Sequence, residues 1–198
     1  MKNPFPENPA KWSAITDRLL SGFPLAMNEI VEIVLASWED IFHSRLGNKG
    51  YQIGRDIWPE PQIMGFLLHE LIPLNLAARR PKMWRRGAAG TECDAVYLAD
   101  SDYSFEIKTS SSPSGIFGNR SYAQLADKAA KKQRGSFFLA VNFGKFAASM
   151  RPEVNLIRFG WLDRADWVGQ RAQSGQQARL TKEARAYKLR IIYEQSVE

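Results

Sequence analysis

Three side chains in the middle of the chain are spaced for chemistry on a phosphate. Asp94 stands just before an apolar run, Ala95 to Ala99, that reads as a short strand. Asp100, Ser101 and Asp102 then supply a polar turn. A second strand runs from about Tyr103 to Thr109 and alternates. Ser104, Glu106 and Lys108 point one way; Tyr103, Phe105 and Ile107 point the other. Glu106 and Lys108 therefore share a face, Ile107 anchors the strand in the core, and Asp94 can meet them across the hairpin. Two carboxylates with nothing soft beside them are hard oxygen ligands, suited to Mg²⁺. An ion held there neutralises a phosphate, polarises the P–O bond and makes a bound water more acidic. A lysine two residues on can orient that water or stabilise the pentavalent phosphorus, and the Ile107 carbonyl is a further candidate ligand. The bland alternative is a solvated hairpin face carrying a surface Glu and Lys.

Glu106-Ile107-Lys108 is the only acid-x-Lys triplet in the chain. With Asp94 before it, it resembles the D…(D/E)xK signature of the PD-(D/E)xK nucleases. Cys93 occupies the place of the signature's proline, which is not a ligand. The lysine is followed by Thr109-Ser110, then by Ile116-Phe117-Gly118-Asn119-Arg120-Ser121-Tyr122-Ala123. Later come Ile157-Arg158-Phe159-Gly160-Trp161-Leu162-Asp163 and Asp166-Trp167. Together these stretches resemble type II restriction endonucleases of that superfamily, most closely the ScaI-like group, over roughly Glu60 to Trp167. The resemblance implies an α/β restriction-endonuclease-like fold, a mixed central sheet flanked by helices. It implies Mg²⁺-dependent hydrolysis of double-stranded DNA at a short palindrome by a homodimer, leaving 5′-phosphates and blunt ends. It also implies a prokaryotic cytoplasm and a cognate DNA methyltransferase in the same system. Many such nucleases add a glutamate from a helix ahead of the hairpin, and Glu70 matches in order. The competing expectation for Glu70 is an exposed helical acid or a partner for Arg79 or Arg80. Gln124 resembles a polar residue often found near the metal site in this superfamily.

Composition sets wider bounds. At 198 residues, 44% hydrophobic and 12% aromatic, the chain suits one domain with a real core. No segment approaches ~18 uninterrupted apolar residues, so no membrane helix is expected, and the N-terminus has no apolar signal core. One cysteine excludes an internal disulfide and fits a reducing cytoplasm. With His43 and His69 the only histidines, a structural zinc site is not expected. A net charge of +6 favours an anionic partner without requiring one.

The elements that must position the acids follow from periodicity. A helix is expected from about Pro9 to Leu20, and a longer one from about Leu25 to Leu46, stopped by Gly47-Asn48-Lys49-Gly50. The apolar stripe of the second, with residues 1–58 as a helical N-terminal part, is a candidate dimerisation region, because cutting both strands of a palindrome calls for two-fold symmetry. Residues 59–198 would form the catalytic core. A loop from Tyr51 to Pro61 leads to a third helix through Ile63, Phe66, Leu67 and Leu71, where Pro73 kinks or ends it. Arg79 to Gly87 reads as a basic loop in which Arg85 and Arg86 contact phosphates. Glu92 shares a strand face with Asp94 and is a further acid near the site. The Ser- and Gly-rich stretch Ser110 to Arg120 reads as a loop whose polar groups, Ser110 and Ser112 among them, reach DNA; Asn119 and Arg120 suit adenine and guanine edges. Ser121 opens a helix to about Arg134, with Ser121 and Gln124 as a capping box and Tyr122, Leu125, Ala126, Ala129 and Ala130 as its buried face; Ser121, Tyr122 and Gln124 are also candidate DNA contacts. Ser136 to Phe143 is a strand covered on both faces, Val154 to Trp161 the next strand, and Leu162 to Trp167 a short helix. Gly169 to Gln177 is a polar loop, and Lys188 to Tyr193 a last strand or helix end. Two other readings stay open: a structure-specific or repair nuclease of the same superfamily, and a basic DNA-binding module whose acids are structural.

Overall fold

Trp12, Ile15, Leu19 and Leu20 recur at helical spacing, and the computed structural model coils the chain there as α1 (Trp12–Ser21), after a short 3-10 turn capped by the Asn8 side chain. The structure describes residues 3–88, 90, 92–122, 135–147, 149–170 and 176–196. α2 (Met27–His43) is shorter than its apolar pattern suggests. Ser44 is already extended, and Leu46 bridges Tyr51 around Gly47 and Gly50, both at positive φ. α3 (Pro61–Arg79) opens on a proline and runs straight through Pro73 rather than ending there. The ring is buried, and at that position a helix forfeits only the bond to the His69 carbonyl.

The Arg79–Gly87 stretch is not all loop: Trp84–Arg86 is β1, because Trp84 is buried and the segment pairs with the next strand, β2 (Ala95–Tyr97). β2 stops short of Ala99. Asp100 accepts the N–H of Asp102 and caps a 3-10 turn, Ser101–Tyr103, that takes Tyr103 out of the following strand. β3 (Phe105–Ser110) continues one residue further than expected, held to the end by Ser110 opposite Asn142. The Ser110–Arg120 stretch likewise contains a strand, β4 (Phe117–Asn119), followed by a 3-10 turn, Arg120–Tyr122. The rest of the helix expected from Ser121 to Arg134 lies outside the described residues.

β5 (Ser136–Phe143) is buried from Phe137 onward, and β6 (Val154–Leu162) almost throughout. Asp163 caps the 3-10 turn Arg164–Asp166, which leads into β7 (Trp167–Gly169). β8 (Gln177–Leu180), α4 (Lys182–Tyr187) and β9 (Leu189–Glu194) complete the order. The main sheet runs β1-β2-β3-β5-β6-β9, with β3 and β5 parallel and the other pairs antiparallel. A second sheet, β4-β8-β7, forms where the sequence suggested no strand. Fold class and flanking helices are as the sequence implied.

Two cores flank the main sheet. α2 and α3 cover one side with Ile30, Ile33, Val34, Trp38, Ile41, Met64, Leu68 and Ile72. Tyr122, Phe138, Ala140, Trp167, Ala178 and Leu189 form a smaller core under the second sheet. The α2 stripe is thus largely buried inside the chain. Glu29 and Glu32 tie α2 to Arg80 and Arg79 at the end of α3.

Candidate active site

β2 and β3 pair only at Ala95 opposite Phe105. Beyond that point no described strand pairs with this edge of β3, and Asp94 occupies it. The Ile107 N–H donates to Asp94 Oδ2 at 2.6 Å, and the Ile107 carbonyl accepts from Lys108 Nζ at 3.1 Å. Strand alternation puts Glu106 and Lys108 on the face of the smaller core. Lys108 Nζ lies 3.3 Å from Glu106 Oε2, and 5.1 and 5.7 Å from the ring centres of Tyr122 and Phe138. The Tyr122 hydroxyl donates to the same Glu106 Oε2 at 3.1 Å.

α3 reaches the site from the opposite face. A Cβ on Gly65 would stand 2.7 Å from Thr109 Oγ1, so only glycine lets the helix lie this close to β3. One turn later His69 Nδ1 sits 3.6 Å from Asp94 Oδ2. Glu70 follows on the wall of the same cleft, 2.6 Å from Arg86. The structure therefore brings Glu70 to the site and pairs it, but with Arg86, not with Arg79 or Arg80. Arg85 holds Glu92 through two bonds of 2.6 and 2.7 Å, and the Ala88 N–H donates to the same carboxylate.

Electrostatics act on three groups of the site. Burial pushes the Asp94 carboxyl up, but His69, the Ile107 N–H and the Lys108 charge outweigh it and hold Asp94 below the usual aspartate range. Burial pushes the Cys93 thiol up to about 11, against its contact with Ser136, so in the metal-free protein it is a thiol at neutral pH. Burial, with the Glu106 charge beside it, pushes the Tyr122 phenol far up, which keeps it a donor.

Asp94, His69, Glu70, Arg86, Glu92, Ser110, Ser112 and Gln177 line a cleft of about 790 Å³. Ser110 Oγ accepts the Ser112 N–H, and Ser112 Oγ accepts the Gly115 N–H. From beneath, Asn142 donates to the Ser112 and Gly115 carbonyls, and Arg158 to the Ser114 carbonyl. The serine-rich segment is thus stapled down, not slack. Asn119 and Ser121 are exposed and open to a partner. Tyr122 is not: it is 8% exposed, with its hydroxyl on Glu106. The Arg120 side chain and all of Gln124 lie outside what the structure describes. Sequence reasoning missed His69, which it weighed only as a zinc ligand; its spacing of one turn from Gly65 was the available signal. It also missed Asn142 and Arg158, buried polar residues hidden in apolar runs.

Among the described residues, no three His, Cys, Asp or Glu side chains converge to cage an ion unaided. Mg²⁺ does not require that: it takes one or two carboxylates and completes its shell with water and substrate phosphate. Asp94, Glu106 and the Ile107 carbonyl are an all-oxygen donor set of that kind, with Asp94 held anionic, so the residues present fit a hard divalent cation.

A mixed sheet flanked by helices, with acid, acid and lysine at the free edge of one strand, defines a restriction-endonuclease-like fold. Residues 6–193 match the model of the ScaI restriction endonuclease family. The chain is also 49% identical, over 171 residues, to the type II restriction enzyme ScaI of Streptomyces caespitosus, covering 85% of this chain and 74% of that enzyme. The chain belongs to the ScaI restriction endonuclease family and is a type II restriction endonuclease. The match reaches well past Glu60 to Trp167 and takes in α1 and α2. Among the described residues, no helix is long and apolar enough to cross a membrane.

Proposed function

We propose that this enzyme hydrolyses double-stranded DNA at a short palindromic sequence, as a homodimer that uses Mg²⁺, leaving 5′-phosphates and blunt ends. The observation that carries this is the constellation at the free edge of β3: Asp94 bonded to Ile107 N–H, and Lys108 3.3 Å from Glu106, beside a cleft lined by Asp94. Asp94, Glu106 and the Ile107 carbonyl would hold the ion, which when bound supplies charge neutralisation and a more acidic water. Lys108 is a cation kept beside the reacting phosphate by Glu106 and two aromatic rings, placed to orient the attacking water or stabilise charge on phosphorus. Water adds to phosphorus as the P–O3′ bond breaks, with no covalent intermediate. Glu70 supports the site from α3, and Arg86 holds Glu70 until DNA offers a phosphate. Ser110, Ser112, Asn119 and Ser121 would touch the duplex, with Arg120 and Gln124 in the same stretch of sequence. Residues 1–198 act as one nuclease unit in a prokaryotic cytoplasm, beside a methyltransferase that protects the host's own sites.

Digestion of a long DNA of known sequence tests this, with and without Mg²⁺, beside Glu106→Ala. Discrete fragments from the wild type with Mg²⁺ alone, absent in the variant, are the expected result. A smear lost in the variant would indicate a structure-directed nuclease instead, and intact DNA across several templates would overturn the reading.

A further inference from the structure

Tyr122 belongs to the catalytic centre, although its surroundings are those of the second sheet. Its hydroxyl donates to Glu106 Oε2 at 3.1 Å, and its ring lies under Lys108 Nζ at 5.1 Å. One side chain therefore touches both members of the Glu106–Lys108 pair. Both of these donors use the same oxygen of Glu106, so the Tyr122 hydroxyl and the Lys108 ammonium meet at Oε2. The ring itself is wedged, 5.1 Å from Trp167 and 6.0 Å from Phe138 between ring centres. Gly118 of β4 is what permits the wedge: a Cβ there would meet Trp167 at 2.9 Å and Tyr122 at 3.1 Å. β4 ends at Asn119, proposed above as a DNA contact, and packs through Gly118 on the residue bonded to Glu106.

We propose that Tyr122 is a positioning residue of the nuclease reaction: it orients Glu106 for the ion and holds Lys108 in place, and through Gly118 it links the second sheet to the catalytic strand. The inference rests on the proposed DNA-cleaving function. Its test starts from wild type that cuts DNA with Mg²⁺ and Glu106→Ala that does not. If that pair fails, the functional reading falls and this inference with it.

Tyr122→Phe removes only the hydroxyl and leaves the packing. The expected result is a turnover rate reduced about tenfold or more, the effect of one hydrogen bond lost from a charged group. KM for DNA stays unchanged, as does affinity for DNA measured without divalent metal. Mn²⁺ affinity of the metal-free protein, measured by calorimetry, falls as well. Gly118→Ala, which displaces the ring without touching the hydroxyl, lowers turnover too. Its effect is less than additive with Tyr122→Phe, since both act through one contact. Unchanged turnover and Mn²⁺ affinity in Tyr122→Phe would overturn the proposal. So would weakened DNA binding with turnover intact, because that is the behaviour of a DNA contact. Fully additive effects of the two substitutions would remove the link to the second sheet.

Discussion

Asp94→Asn separates what the carboxylate does for folding from what it does for chemistry. The substitution keeps shape and retains an oxygen for the Ile107 N–H, but removes the charge facing His69 and Lys108. A hydrogen bond to a charged group contributes about 1.5–3 kcal/mol and a neutral one about 0.5–1.5. The expected loss of stability at pH 7 is therefore about 1–2 kcal/mol. For a chain of this size each kcal/mol moves the melting temperature by about 2–4 °C. The sign with pH follows from the direction of the shift. Burial raises the Asp94 carboxyl, but its partners bring it below the usual value. A folded-state value lower than the unfolded one, about 3.9, stabilises above that unfolded value, and the benefit disappears as pH falls through the folded value. Wild type should thus melt higher than Asp94→Asn at pH 7, and the gap should close in acid. Calorimetric melts at pH 7 and at strongly acidic pH measure this directly. Cleavage by the variant should fall about a thousandfold, the equivalent of about 4 kcal/mol of transition-state stabilisation. A variant as stable as wild type at pH 7 would refute the claim that the fold holds Asp94 as an anion. Wild-type cleavage would refute its place in the reaction.

Other perturbations probe the frame. Gly65→Ala puts a methyl within 2.7 Å of Thr109 Oγ1 and should lower stability by about 1–3 kcal/mol; adding Thr109→Ala should recover most of it in urea titrations. Glu29→Ala removes the acid that Arg80 grips from two nitrogens. Arg80 is half exposed, so the loss should be about 1 kcal/mol or less. Arg80 holds the Glu29 carboxyl low, so that loss should appear above about pH 4.3 and vanish as pH falls through the folded value, read as urea midpoints across pH. Asn142→Ala strands the Ser112 and Gly115 carbonyls and takes one acceptor from Arg158. It should destabilise by about 2 kcal/mol or more and, measured at a temperature where the variant is folded, weaken specific DNA binding more than non-specific binding.

What the sequence disclosed and what it withheld divide along a physical line. Asp94, Glu106 and Lys108 were legible because a β-hairpin is local: period-two alternation places side chains without knowledge of the rest of the fold. β5 was legible because a strand buried on both faces must be apolar throughout. β1, β4, β7 and β8 were not, since three or four residues carry no periodicity, and Trp84-Arg85-Arg86 looks like a basic loop until β2 pairs with it. Glu70 was placed by order along the chain, but its partner Arg86 comes from a strand that sequence reading did not see. Tyr122 was legible as part of a buried face; what buries it was not, because the second sheet is assembled from segments far apart in sequence.

The shortness of β2 explains why the site stands where it does. Had β2 kept pairing past Ala95, the ladder would have claimed the N–H and carbonyl of Ile107, and Asp94 would have faced a filled edge. Because pairing stops at Phe105, one backbone residue presents a donor to Asp94 and an acceptor to Lys108. Cys93, the residue before Asp94, is the one soft donor type beside the proposed site. A cysteine there could have made the site soft, with a thiolate beside two carboxylates. Burial and the carboxylates themselves push its thiol to about 11, and it packs on Ser136 instead. The donors that remain are oxygens, so the site should prefer Mg²⁺ or Mn²⁺ to Zn²⁺. Replacing Cys93 with serine should leave that preference unchanged. A Cys93→Ser enzyme that lost a Zn²⁺- or Cd²⁺-supported activity present in wild type would show that the thiol is a ligand after all.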